Sequence, residues 1–144
     1  MTPNAPVSSG DLFIFYGLLK QGAAGAPAEL DFARAGAFLG ACRFSATMHD
    51  LGGFPGVVAG TDSCQGVLYR LDDASLAPAM DAFEDIIPGD PDGSLYRRET
   101  LDVLDDTNAP TGQRAWVYIY NQPVAGHPVL PDGNWPLDKG RARK

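Results

Sequence analysis

Leu12-Phe13-Ile14-Phe15-Tyr16-Gly17-Leu18-Leu19-Lys20-Gln21-Gly22 is the stretch on which the reading of the fold turns. Leu12 to Phe15 form an unbroken apolar run that enters Tyr16-Gly17 and then loses its pattern. A short apolar run stopped by glycine reads as a buried strand delivering its C-terminal end into a loop. Without a Cβ, Gly17 allows either a positive φ or a close approach by another group. Backbone N–H groups beyond such a strand end are fixed donors for a carboxylate or a developing oxyanion. On these residues alone, a strand followed by an ordinary turn accounts for the pattern equally well.

The chain of 144 residues fits one domain, able to bury roughly two thirds of its unfolded surface in a single core. Its 44% hydrophobic and 20% charged content are those of a globular protein. A net charge of −7 argues against nucleic acid or an anionic membrane as principal partner. Cys42 and Cys64 lack C-x-x-C spacing and have no histidine-rich neighbour, which speaks against zinc. The N-terminal residues carry no basic n-region, and no stretch approaches the ~20 apolar residues of a membrane span. The expectation is a cytoplasmic protein with two reduced thiols, a single buried disulfide remaining open.

Taken in order, residues 1–11 read as a flexible N-terminal arm, rich in Pro, Ser and Gly. After the first strand comes a Gly/Ala-rich loop, with one helical turn around Ala28 to Arg34. No phosphate-cradling glycine pattern occurs in it, so no nucleotide site is expected. Ala37 to His49 reads as extended and closes in the turn Asp50-Leu51-Gly52-Gly53. Phe54 to Ala59 and Gln65 to Leu71 read as further strands, separated by a polar turn from Gly60 to Ser63. Tyr96 to Leu104 and Arg114 to Gln122 read as two more. In the last, Trp116, Tyr118 and Tyr120 share one face, opposite Val117 and Ile119. Trp135 is expected to pin the segment after Pro123, and Lys139 to Lys144 supply a solvated basic tail over 137–144.

One segment changes period. From Asp73 to Ile87, Leu76, Met80, Phe83 and Ile87 recur at helical spacing, with Ser75 as the expected N-cap and Pro88-Gly89 as the stop. On this wheel Asp81 and Asp85 point to water, while Glu84 lies at the border of the apolar stripe. Many strands with one clear helix describe an α+β domain and point to a small mixed β-barrel.

The aspartates Asp90, Asp92, Asp105 and Asp106 lie in turns, where Asp serves the backbone. His49 and His127 stand singly in turn-like contexts and read as surface or capping residues. Glu84 differs. A carboxylate at an apolar border is desolvated on one side, which disfavours its charged form, yet it can still reach a cleft. An ion pair with Arg97 or Arg98 is an equally good account of that residue taken alone.

Several short motifs now fall in order: Tyr16-Gly17-Leu18-Leu19-Lys20, Phe38-Leu39-Gly40, Phe54-Pro55-Gly56-Val57-Val58 and Gln65-Gly66-Val67-Leu68-Tyr69. They continue in Met80-Asp81-x-x-Glu84, Tyr96-Arg97-Arg98, Trp116 to Tyr120 and Asp132-Gly133-Asn134-Trp135. Together they resemble the γ-glutamylcyclotransferase-like family, AIG2-like branch, over about residues 12–136. Leu18 departs from the small hydroxyl residue usual there, and the stretch from Ile86 to Ser94 is long and acidic.

The resemblance implies a γ-glutamylcyclotransferase-like barrel flanked by helices, with a cleft where the Tyr16 to Leu19 loop meets Glu84. It implies that the free α-amine of a γ-glutamyl group attacks its own γ-amide carbonyl, giving 5-oxoproline and a released amine or amino acid. Glu84 would then be the general acid/base, and Tyr16, Gly17, Leu18, Leu19 and Tyr96 would bind the substrate. Neither a metal nor an organic cofactor is called for, and the partner is a small γ-glutamyl molecule. The alternative from another class is a non-catalytic module that binds γ-glutamyl-like ligands.

Overall fold

In the computed structural model, residues 6–17, 32–52, 54–87, 89–90 and 92–135 are described. Strand β1 (Asp11–Phe15) pairs antiparallel with β3 (Pro55–Leu71), Phe13 opposite Tyr69, and parallel with β5 (Pro110–Tyr120), Phe13 opposite Trp116. The β2 strand (Gly36–Asp50) pairs with β3 and meets β4 (Tyr96–Leu104), which forms a hairpin with β5. The order β1-β3-β2-β4-β5 closes into a barrel, and the parallel β1–β5 contact makes it mixed.

Alternation along β1 separates two apolar layers. Ile14 joins Phe44, Met48, Val57, Val103 and Val117 in one buried cluster. Phe13 and Phe15 join Tyr69, Tyr96 and Tyr118 in another, which also takes in α1 (Phe32–Ala35) and α2 (Ala77–Phe83). The layer holding the helices is therefore the outer one, and the first lines the barrel. Trp135 is 1% exposed and packs into the lining cluster, so the late segment is pinned where the sequence placed the pin.

Three boundaries differ from the sequence reading. Gly60 to Ser63 is no turn between two strands: β3 is continuous, and pairing with β2 jumps from Ser45↔Ser63 to Thr47↔Val58. Gly60 lies against Thr47 so tightly that a Cβ there would overlap its Oγ1, which makes this a bulge stacked on the partner strand. Strand β5 begins at Pro110, earlier than Arg114, because Asp105 closes the hairpin by accepting from the amides of Thr107 (2.8 Å) and Ala109 (3.1 Å). The arm is tethered from Ser8 onward: Gly10 donates to the Leu71 carbonyl at 2.7 Å, and Asp11 already belongs to β1. Residues 1–5 and the tail 137–144 lie outside the described residues. The thiols of Cys42 and Cys64 are free and buried.

Candidate functional site

At the end of β1 the chain turns its side chains inward. Tyr16 is 5% exposed; its hydroxyl donates to the Tyr118 carbonyl at 2.6 Å and accepts from the Val57 amide at 3.4 Å. Gly17 has no positive φ. Its glycine is required by close approach, since a Cβ would stand 2.6 Å from Pro55 Cγ. The Pro55 carbonyl in turn accepts from the Tyr96 hydroxyl at 2.6 Å, and Tyr96 is 2% exposed. The end of β1 and the starts of β3 and β4 thus meet at one point. Leu18 and Leu19 lie outside the described residues.

Helix α2 is bonded to β4 and β5 through Asp81, and its boundaries differ from expectation. Ser75 is not the N-cap: Asp73 caps a 3₁₀ turn, Ala74–Leu76, its carboxylate accepting from the Ser75 amide at 3.1 Å, and α2 follows with Leu76 in its N-cap position. Too short to persist alone, α2 is held by Ala77, Met80 and Phe83, buried on one side. It ends at Phe83, before Pro88-Gly89. The Asp85 amide bonds the Ala82 carbonyl (3.0 Å) and the Ile86 amide bonds that of Asp81 (3.0 Å), a Schellman closure with Asp85 left-handed at φ 57. Ile87, beyond that closure, is exposed.

Glu84 is therefore the C-cap residue and not a border position of a longer helix; it is 7% exposed. The segment after it is stitched to the barrel, because the Leu95 amide donates to the Asp85 carbonyl at 3.0 Å and the Asn121 amide to that of Leu95 at 2.9 Å.

Asp81 does not point to water. Its side chain is 18% exposed and faces β4, where Arg98 Nε and a terminal guanidinium nitrogen each lie 3.1 Å from one of its oxygens. The Tyr118 hydroxyl donates to the same carboxylate at 2.8 Å. Arg98, 4% exposed, rests with its guanidinium carbon 4.6 Å from the Trp116 ring centre. Arg97 pairs instead with Glu99. Burial drives the Tyr118 hydroxyl well above its usual range, the Asp81 charge and hydrogen bond and the Glu84 charge adding to it, partly opposed by Arg98. Tyr118 hence remains a proton donor at neutral pH, within reach of both carboxylates' fields.

The association of Asp81, Arg98 and Tyr118 is not read from sequence, which offers Arg98 as an ion-pair partner of Glu84 and turns Asp81 to water. The sequence signal is only a carboxylate three residues before Glu84; the Arg98↔Tyr118 register that brings its partners comes with the fold. His49 is buried, not a surface residue, with Nδ1 3.0 Å from the His127 carbonyl. Among the described residues no His, Cys, Asp and Glu side chains gather as a metal-binding group, and no helix is long and apolar enough to cross a membrane.

A model of the family "Gamma-glutamyl cyclotransferase, AIG2-like" matches residues 13–137. The chain belongs to this family. Among γ-glutamyl cyclotransferase relatives, it is 35% identical over 92 residues to a "Gamma-glutamylcyclotransferase family protein" of Citrobacter rodentium, covering 64% of this chain and 68% of the other. It is 33% identical over 94 residues to the protein of that description in Escherichia coli K12, covering 65% and 70%. The solution structure of the protein YtfP from Escherichia coli superimposes with TM-score 0.58 at 28% identity, covering 86% of this chain and 95% of that one. The crystal structure of an AIG2-like protein from Mus musculus gives TM-score 0.65 at 20% identity, covering 90% of each chain, a likeness of fold. The small mixed barrel flanked by helices is thus the fold of this γ-glutamyl cyclotransferase family.

Proposed function

We propose that this chain is an enzyme that cyclises a γ-glutamyl group to 5-oxoproline with release of an amine or amino acid, Glu84 acting as general acid/base. The α-amine nitrogen forms a bond to the γ-carbonyl carbon, and the amide bond to the departing nitrogen breaks. Glu84 takes a proton from the attacking amine and returns one to the leaving nitrogen, so the protein ends unchanged. The nucleophile is already part of the substrate, so orientation and oxyanion donors complete the requirement without a Ser or Cys. In this reading the backbone from Tyr16 to Leu19 holds the glutamyl moiety. Tyr96 contributes by seating Pro55 against Gly17, its hydroxyl being bonded to the Pro55 carbonyl.

The observation that carries the reading is Glu84 itself: a buried acidic residue, 7% exposed, held at the C-cap of α2 by the helix closure. The experiment is 5-oxoproline release from a panel of γ-glutamyl amino acids, a γ-glutamyl amine and γ-glutamyl-lysine isopeptide. Turnover of at least one is expected. A protein that binds such compounds and turns over none is a binding module.

A further inference from the structure

Ionisable side chains from three elements meet at one point: Asp81 on α2, Arg98 on β4 and Tyr118 on β5, and the Glu84 charge acts on the Tyr118 hydroxyl. We propose that Asp81 is a positioning residue for the reaction at Glu84: it holds Arg98 in a two-point ion pair and accepts the Tyr118 hydroxyl, so that the buried positive charge is balanced and Glu84 keeps the proton affinity its work requires. The proposal rests on the reading of Glu84 as the acid–base group.

The geometry favours it in several ways. Asp81 stands in the last turn of α2, three residues before the C-cap Glu84, so the same helix end positions both residues. A guanidinium fork meeting both oxygens of one carboxylate at 3.1 Å is the strongest form of this pair and the one that fixes orientation. Arg98 is 4% exposed, so water screens its charge weakly, and Trp116 covers it at 4.6 Å. Trp116 is itself held by its Nε1, 3.0 Å from Asp11 Oδ2. Arg98 and Tyr118 face each other across the β4–β5 ladder, which sets their spacing through the backbone.

The other titratable groups of the surrounding elements are Asp85 after α2, Tyr96 on β4, Tyr120 on β5 and Asp11 on β1, together with two pairs closed on themselves, Arg97 with Glu99 and Arg114 with Asp102. Tyr96 donates to Pro55, Asp11 accepts from Trp116, and Arg34 of α1 is exposed. The described cluster therefore holds two carboxyl groups and one guanidinium, and changing the charge of either member of the ion pair must move the Glu84 proton. The directions are opposite. Removing the Asp81 charge leaves Arg98 unbalanced and favours the Glu84 carboxylate; removing the Arg98 charge leaves two carboxyl groups together and favours its protonated form. A pair that only packs α2 onto the barrel gives no such opposition.

The test is a carbon-13 NMR titration of the Glu84 carboxyl in the full chain, its signal assigned by its absence from Glu84→Gln. It is run on the wild type, Asp81→Asn and Arg98→Gln, with kcat/KM against pH for a γ-glutamyl substrate alongside. The midpoint should fall by about one pH unit or more in Asp81→Asn and rise in Arg98→Gln, and the acid limb of kcat/KM should follow. An unchanged midpoint in folded Asp81→Asn, or a shift of the same sign in both variants, overturns the proposal. If Asp81→Asn does not fold, Arg98→Gln decides alone: a rise supports, its absence overturns. The titration needs no turnover, so a wild type that releases no 5-oxoproline removes the catalytic reading separately from the charge coupling.

Discussion

Gly17 shows how a single missing Cβ organises the site. Either a positive φ or a close approach explains such a glycine in sequence, and a sequence cannot choose between them because the neighbour, Pro55, is far along the chain. In the fold the neighbour decides: an added Cβ would meet Pro55 Cγ at 2.6 Å and Cδ at 3.1 Å. Gly17→Val should displace Pro55 and the loop after β1, weakening a bound γ-glutamyl ligand more than it lowers the melting temperature. Calorimetry on a folded Gly17→Val protein checks this, and unchanged affinity would remove the loop from recognition. The cysteines are the opposite case, chemically capable but enclosed. Burial pushes both thiols from the ordinary 9.0 up to about 11, so neither should react with a thiol reagent at pH 8 in the native protein. Because the unfolded chain gives up those protons first, the thiols' contribution to stability is complete below about pH 9 and is lost as pH rises toward 11. Denaturation midpoints across that range should fall less in a Cys42→Ala/Cys64→Ala protein than in the wild type.

At the scale of elements, legibility followed periodicity and stopped where it was broken by something distant. Tyr96–Leu104 could be bounded from sequence because turn-forming residues flank it on both sides, up to Ser94 and from Asp105 onward. The bulge at Gly60 to Ser63 resembled a turn, since small polar residues mark both; only its stacking on Thr47 separates them. The helix carrying Glu84 was read too long because its terminator is Asp85 in the left-handed region, a place where glycine is the usual signal. That error propagated. A wheel drawn through Ile87 turned Asp81 to solvent, whereas the partner that buries it, Arg98, comes from β4. The left-handed Asp85 yields a test of the closure. Asp85→Gly should retain stability within a few tenths of a kcal/mol, strain relief offsetting glycine's entropy, while Asp85→Val should lose about 1–2 kcal/mol. Chemical denaturation measures both. A Val variant as stable as the wild type would show that the left-handed turn does not hold Glu84 in place.

The whole molecule divides its labour between two layers. The cluster lining the barrel, closed by Trp135, is apolar apart from bonded groups such as the Cys64 thiol, which donates to the Ala46 carbonyl at 3.3 Å. The outer layer, where α2 meets β4 and β5, holds the buried charges, and they are the feature that burial of apolar surface alone does not explain. The closed mixed barrel was legible as strands, one helix and an ordered set of motifs. Its parallel β1–β5 seam was not, for strand pairing across Phe13 and Trp116 leaves no mark in either segment. The charged cluster was half legible, Glu84 through its apolar neighbourhood and its partners only once the hairpin register was known. The central claim is that Glu84 does the proton transfer, and the direct measurement is 5-oxoproline release by wild type and Glu84→Gln across pH, with thermal melts of both. Glu and Gln are nearly isosteric, so packing beside Met80 and Phe83 should survive and the melts should agree, while turnover should fall by about 10²–10⁴-fold and the acid limb disappear. Equal rates from two equally stable proteins would contradict the account.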